Sequence, residues 1–302
     1  MLAFIHIHKT GGTTLQWILR SSLGAHYCEV APLTIASSYQ GTPWLAPVSS
    51  GDLRYLERLY PYLEGIGGHH VQPHKDLHHK YPEIRYFTFM RDPVKMRASM
   101  YQHGVEALGE ENCIFTEWLQ EEQSQNRQTK MIAGTADVEK AIKIIKERQI
   151  FVGLTDHFNE SLLLLKTLLA DKLNIDYKRM NVSQGETAAK QVLENPHTRE
   201  MLRMGNEADM ELFNYVQQEV YPRFRREYGP SLSEDLAAYE AKLQRYGTRP
   251  VPLSFMNKPR LFRLLLLLDL APYNGRNVTM ALIKKYFLYR TKLQLNRKGL
   301  KI

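Results

Sequence analysis

The six consecutive residues Lys9-Thr10-Gly11-Gly12-Thr13-Thr14 carry the densest chemistry in the chain. They follow an apolar, β-rich run at Leu2 to Ile7 and precede Leu15, Ile18 and Leu19 at helical spacing, which predicts a strand, a short loop and a helix. The first amides of such a helix have no partner within it and collect an anion. Glycines let the backbone approach the anion closely, threonine hydroxyls add donors, and Lys9 adds a point charge. A phosphate-like group is the expected ligand. The pattern G-x-x-x-x-G-K-[ST] of nucleoside triphosphatases puts its lysine after the glycines, whereas Lys9 precedes them, so a magnesium triphosphate is the poorer fit.

Two further stretches could join that loop. The run Ile84 to Met90 predicts a buried strand, and Pro93 opens a helix directly after Arg91-Asp92. Arg91 at the strand's end can fork onto phosphate oxygens, and Ser99 on the helix can donate a hydroxyl. The plainer alternative pairs Arg91 with Asp92 at the helix start. The second stretch holds five histidines, His69, His70, His74, His78 and His79, after the short predicted strand in LEGIGG. An imidazole there suits a general base near neutral pH. His70 and His74, or His74 and His78, have the spacing of zinc ligands on one helix face. Pro73 interrupts the first pair and no cysteine or H-E-x-x-H accompanies either, so no metal is expected. His6 and His8 flank the entry to the Lys9 loop.

These groups need a scaffold, and the alternation of strands with helices predicts one: an α/β fold with a mainly parallel sheet flanked by helices. A further strand is expected at Gln149 to Leu154, and helices are expected from an Asp52 cap to about Tyr60, over Phe115 to Arg148 and over most of Gly185 to Tyr228. The organisation reads as an α/β domain over 1–230 and a helical, basic C-terminal extension over 231–302. The chain has 302 residues, 43% hydrophobic and 24% charged, and two cysteines, a balance that excludes global disorder and a disulfide framework. Its net charge of +8 is uneven: Lys258 to Ile302 carries 11 Lys and Arg against one acid, and the remainder 29 against 31. That asymmetry points to an anionic polysaccharide or membrane surface at the tail, and no nucleic acid is expected. The apolar run Leu261 to Ala271 is too short to span a bilayer, which takes roughly 20 residues. In the long Ala31 to Gly51 loop, Tyr39 and Trp44 could stack on sugar rings.

The stretches FIHIHKTGGTTL and YFTFMRDPVKMRASMYQH together resemble the carbohydrate sulfotransferases related to the heparan and chondroitin sulfate enzymes, the family-2 sulfotransferases with bacterial members. The resemblance continues through NRQTKMIAG, FVGLTDHFNESLLLL and NEADMELFNYV and covers about three quarters of the chain. It implies a P-loop-like fold and an enzyme that moves a sulfuryl group from 3'-phosphoadenosine 5'-phosphosulfate to a hydroxyl of a carbohydrate or glycoconjugate. The products are the sulfated acceptor and 3'-phosphoadenosine 5'-phosphate, and no metal is required. Lys9, Thr10, Gly11, Gly12, Thr13 and Thr14 match the loop that holds the 5'-phosphosulfate, and Arg91 and Ser99 match the pair on the 3'-phosphate. Lys9 would also offset charge on the leaving phosphate. Gly68-His69 matches the family's Gly-His pair, which makes His69 the expected general base, with His70 as the alternative. His6 matches a common family position, and His8 departs from the usual proline or glutamine. Two other classes stay open: a P-loop nucleotide kinase or phosphotransferase, and a non-catalytic polyanion or membrane adaptor. The expected compartment is the cytoplasm, with peripheral membrane attachment open, or the Golgi lumen if a longer natural chain carries an anchor.

Overall fold

The computed structural model describes residues 1–32, 46–59, 62–109, 113–120, 125–177 and 187–246. The basic tail from Lys258 and the loop aromatics Tyr39 and Trp44 lie outside the described residues. Five strands form one parallel sheet: β1 (Leu2–Ile5), β2 (Tyr27–Glu29), β3 (Gly65–Gly68), β4 (Arg85–Met90) and β5 (Phe151–Leu154). Their order is β2-β3-β1-β4-β5. All four residues of β1 and all four of β5 are buried, as expected of strands covered by helices on both faces. Phe4 of β1 stacks on Phe87 of β4 with centroids 4.9 Å apart, fixing the centre of the core.

The order decides where a site can form. From β1 the chain steps to β2 and β3 on one side, then returns to β4 and β5 on the other, so β1 sits at the reversal. In a sheet of this kind the crevice for a ligand opens at the carboxyl ends of the strands beside that reversal. Ile5, Gly68 and Thr88 are in register across β3, β1 and β4. The three segments expected to do chemistry follow these three adjacent strands.

Helix α1 (Gly12–Leu23) follows β1, and α2 (Ser50–Leu59) precedes β3. The start of α2 differs from the expected Asp52 cap. Ser49 is the residue before the helix, its backbone N and Oγ donate to Asp52 Oδ2 at 2.9 and 2.7 Å, and Ser49 Oγ accepts from Asp52 N at 3.2 Å. This reciprocal capping box places the cap at Ser49, three residues earlier. Helices α3 (Leu77–Lys80) and α4 (Pro93–Leu108) bracket β4. The stretch expected as one helix from Phe115 to Arg148 is divided into α5 (Phe115–Leu119), α6 (Arg127–Ala133) and α7 (Val138–Glu147). The reason is local: Asn126 takes a left-handed conformation, Gly134 ends α6, and Asp137 starts α7 by accepting from Lys140 N at 2.9 Å.

After β5 come α8 (Phe158–Leu168), α9 (Thr187–Glu194), α10 (Pro196–Met204), α11 (Glu207–Tyr215), one π-helical turn (Val216–Val220), α12 (Tyr221–Tyr228) and α13 (Leu232–Tyr246). Helix α13 shares the core of the body: Leu232 and Tyr239 are buried in it, and Tyr239 Oη donates to Ile175 O at 2.6 Å. No helix among the described residues is long and apolar enough to cross a membrane.

Candidate active site

The loop after β1 is held in an unusual shape by its own chain. Lys9 and Gly11 both have left-handed backbones, with φ of 59° and 85°. Thr10 is fully buried and donates its hydroxyl to Ile7 O at 2.9 Å, so it braces the loop from beneath. Thr155 Oγ1 lies 3.2 Å from Thr10 O and 3.1 Å from Met90 O, tying the loop to the end of β4. Thr14 and Leu15 amides both bond Gly11 O, at 3.1 and 3.2 Å, which seats the first turn of α1 on the loop. No acid occupies the first turn of α1. Amide dipoles and a lysine converge there, with Glu106 as an acid that acts on Lys9 from α4.

Gly12 carries a second requirement. A Cβ at that position would lie 1.8 Å from His6 Nε2, so the His6 ring fills the space where any other side chain would begin. Gly12→Ala is therefore expected to displace His6 and to destabilise the protein by about 1–3 kcal/mol, the usual cost of overpacking. Urea unfolding of the variant measures this, and an unchanged midpoint would show that His6 moves aside freely.

Arg91 leaves the end of β4 and donates from Nη1 to Lys9 O at 3.2 Å, bringing the second expected segment onto the first. Asp92 has its own task, accepting from Lys95 N at 2.9 Å as the N-cap of α4. Ser99 lies half-buried in the second turn of that helix. Burial lowers the Lys9 pKa, as does the Arg91 guanidinium, while Glu106 acts in the opposite direction. An anion bound between Lys9 and Arg91 would relieve that repulsion.

The third segment supplies an imidazole. His69 follows β3, and its Nδ1 lies 2.6 Å from His6 O. The carbonyl can only accept, so the neutral ring carries its proton on Nδ1 and keeps the lone pair on Nε2. The ring lies between two others, with centroids 4.0 Å from His6 and 3.6 Å from His8 and interplanar angles of 24° and 16°. Phe4 continues the column below His6 at 5.3 Å. Burial pushes His69 down to about 4, with the charges of Arg127 and His70 acting in the same sense and the His6 carbonyl opposing. His6 and His8 are likewise pushed well below the usual imidazole range, chiefly by burial.

The remaining histidines are distributed elsewhere. His70 turns its Nδ1 to Ala46 O at 2.6 Å, away from the stack. His74 packs against Gly134 at the end of α6, and burial lowers it to about 4. His78 and His79 sit together on α3 with ring centroids 3.9 Å apart. Among the described residues no group of three or more histidine, cysteine or acidic side chains is placed to hold a metal ion.

The structure adds residues that the motif reading left without a role. Arg127, the first residue of α6 and only 3% exposed, donates from Nε to His8 Nδ1 at 3.2 Å. Gln128 grips the backbone of Arg91 from both sides, accepting from Arg91 N at 3.0 Å and donating to Arg91 O at 2.9 Å. Asp209 of α11 is fully buried and accepts from Gln128 N at 3.0 Å and from Thr129 N and Oγ1, both at 2.7 Å. Burial raises its pKa, and these donors oppose the shift. Asn126 adds two further bonds between the same segments, donating its backbone N to Asn206 Oδ1 at 3.0 Å and accepting on Oδ1 from Asp209 N at 3.2 Å. The signal was present as four polar residues, Asn126 to Thr129, opening a helix whose later residues are buried and apolar.

The carboxyl edge of the sheet thus presents a glycine- and threonine-rich loop with a lysine, an arginine bonded to that loop, and a neutral imidazole with one fixed tautomer. Such a set can bind a phosphorylated ligand, offset charge on a departing oxyanion and accept a proton. No protein-family model matches the chain, and no curated protein is similar enough to it to count as a relative.

Proposed function

We propose that the protein is an O-sulfotransferase with a P-loop-like fold, using 3'-phosphoadenosine 5'-phosphosulfate as donor and a carbohydrate or glycoconjugate hydroxyl as acceptor. The observation that carries this reading is the convergence of Lys9, Arg91 and His69 after three adjacent parallel strands, with Arg91 bonded to the Lys9 carbonyl. In this reading residues Lys9 to Thr14 hold the 5'-phosphosulfate, and Arg91 with Ser99 holds the 3'-phosphate. The loop's fit to the donor is electrostatic: amides and cations at the helix start, with no acid in its first turn.

Each group has one task in the transfer. His69 Nε2 accepts the proton of the acceptor hydroxyl as the acceptor oxygen bonds to sulfur. The bond from sulfur to the bridging phosphate oxygen breaks in line, and Lys9 offsets the charge left on that oxygen. The imidazolium then returns its proton to solvent. The basic tail would collect an anionic polysaccharide or contact a membrane surface.

Calorimetric titration with 3'-phosphoadenosine 5'-phosphate, ADP and ATP, with and without magnesium, tests the donor class. The bisphosphate is expected to bind most tightly and without metal, and Arg91→Ala to weaken it about tenfold or more, about 1.4 kcal/mol. Preference for magnesium-ATP would make the protein a kinase. Absence of nucleotide binding would leave the adaptor reading.

A further inference from the structure

We propose that Arg127 and His8 form a positioning pair for His69, in which Arg127 grips the edge of the His8 ring and the face of that ring holds the His69 imidazole against the His6 carbonyl. This rests on the proposed role of His69 as general base. The geometry is a relay of close contacts. Arg127 Nε donates to His8 Nδ1 at 3.2 Å, and its Nη2 lies 3.4 Å from His8 Nε2, so the guanidinium straddles one edge of the ring. The His8 face lies 3.6 Å from His69, and His69 Nδ1 closes the relay on His6 O at 2.6 Å.

The support behind Arg127 explains why it can act this way. His8 lies beyond the end of β1, on a loop whose next residue has a left-handed backbone, so the sheet does not fix its ring. Arg127 stands on the first turn of α6, which is anchored to α11 through the Asp209 carboxylate and through the bonds of Asn126 with Asn206 Oδ1 and Asp209 N. A charged group on a rigid element thereby sets the position of a ring on a loop. The electrostatics agree with the geometry. The groups acting on His69 are Arg127, His70 and the His6 carbonyl, and those acting on His8 are His69, Arg127, His6 and Lys9. Burial is the first cause that keeps His69 neutral, and the basic side chains facing it act in the same sense, so its Nε2 lone pair is available in the free protein.

A charge beside a ring moves its titration whether or not it holds the ring in place, so the variant that keeps the charge and loses the planar fork separates the two roles. The experiment follows the His69 imidazole by NMR in the full chain, without nucleotide, in the parent and in the Arg127→Met and Arg127→Lys variants. Arg127→Met removes a repelling charge and is expected to raise the His69 pKa by about one unit, a tenfold change in protonation. Arg127→Lys keeps the charge but loses the planar fork. It is expected to hold the pKa within about half a unit of the parent while lowering sulfuryl-transfer turnover about tenfold at unchanged bisphosphate affinity. Should Arg127→Met fail to fold, the Lys variant carries the test through turnover and the His69 tautomer signals. Unmoved His69 signals and unmoved turnover in folded variants would overturn the proposal. Loss of the His69 Nδ1–H tautomer signal in Arg127→Lys, in a protein that transfers no sulfuryl group, would support the pair and instead remove the sulfotransferase reading.

Discussion

His69→Ala is expected to lower the turnover number by about 10²–10⁴, the range for losing a positioned general base, while leaving affinity for 3'-phosphoadenosine 5'-phosphate within about threefold of the parent. The separation follows from where the groups sit. Lys9 and Arg91, the expected phosphate holders, follow β1 and β4, whereas His69 follows β3 and is fixed by the His6 carbonyl at 2.6 Å. His70→Ala, whose parent ring turns to Ala46 O, is expected to change turnover by less than about threefold. Equal losses in the two variants, or loss of nucleotide binding in His69→Ala, would remove His69 from the role.

The pH dependence gives a second reading of the same group. Without nucleotide His69 titrates near 4, so at pH 7 it is neutral and its lone pair is available. Activity is lost as the pH falls through the ring's pKa, because protonation fills Nε2. An anionic donor beside the ring favours the imidazolium and raises that pKa, so the acid limb of turnover with donor bound is expected above 4. A limb that disappears in His69→Ala would tie it to this residue.

Much of this arrangement was legible because local chemistry and topology agree. The β1 loop is written in contiguous residues, and its Lys, Gly and Thr types are each needed where they stand. Arg91 was readable for the same reason, since Pro93 fixes a helix start and β4 is a strong apolar run. The stack of His6, His69 and His8 was not readable. It unites residues more than sixty positions apart, and only the parallel pairing of Ile5 with Gly68 brings them together. Helix breaks were missed where left-handed residues such as Asn126 cut an otherwise continuous helical pattern. Arg127 carried no motif of its own; its role arises from the contact of α6 with the β1 loop.

The longest-range of these dependencies makes Asp209 the strongest test of how the site is held. Asp209→Ala is expected to destabilise the protein by about 3–5 kcal/mol, because it leaves the Gln128 and Thr129 amides and the Thr129 hydroxyl without their acceptor in a buried place. Asp209→Asn keeps one acceptor oxygen but turns an NH2 group toward a donor, so a loss of about half that size is expected. The effect should not stop at stability. Gln128 holds both backbone polar groups of Arg91, and Arg127 stands one residue earlier on the same helix turn. Loosening the start of α6 therefore disturbs the arginine that meets the β1 loop and the arginine that grips His8. In the Asn variant, which retains most of the fold, bisphosphate affinity is expected to fall severalfold, on the order of 1 kcal/mol, measured by calorimetry beside urea unfolding. An Asn variant with parental affinity but lowered stability would confine Asp209 to the scaffold. Parental stability in the Ala variant would mean that the two amides find other acceptors, and the coupling from α11 to the site would fall with it.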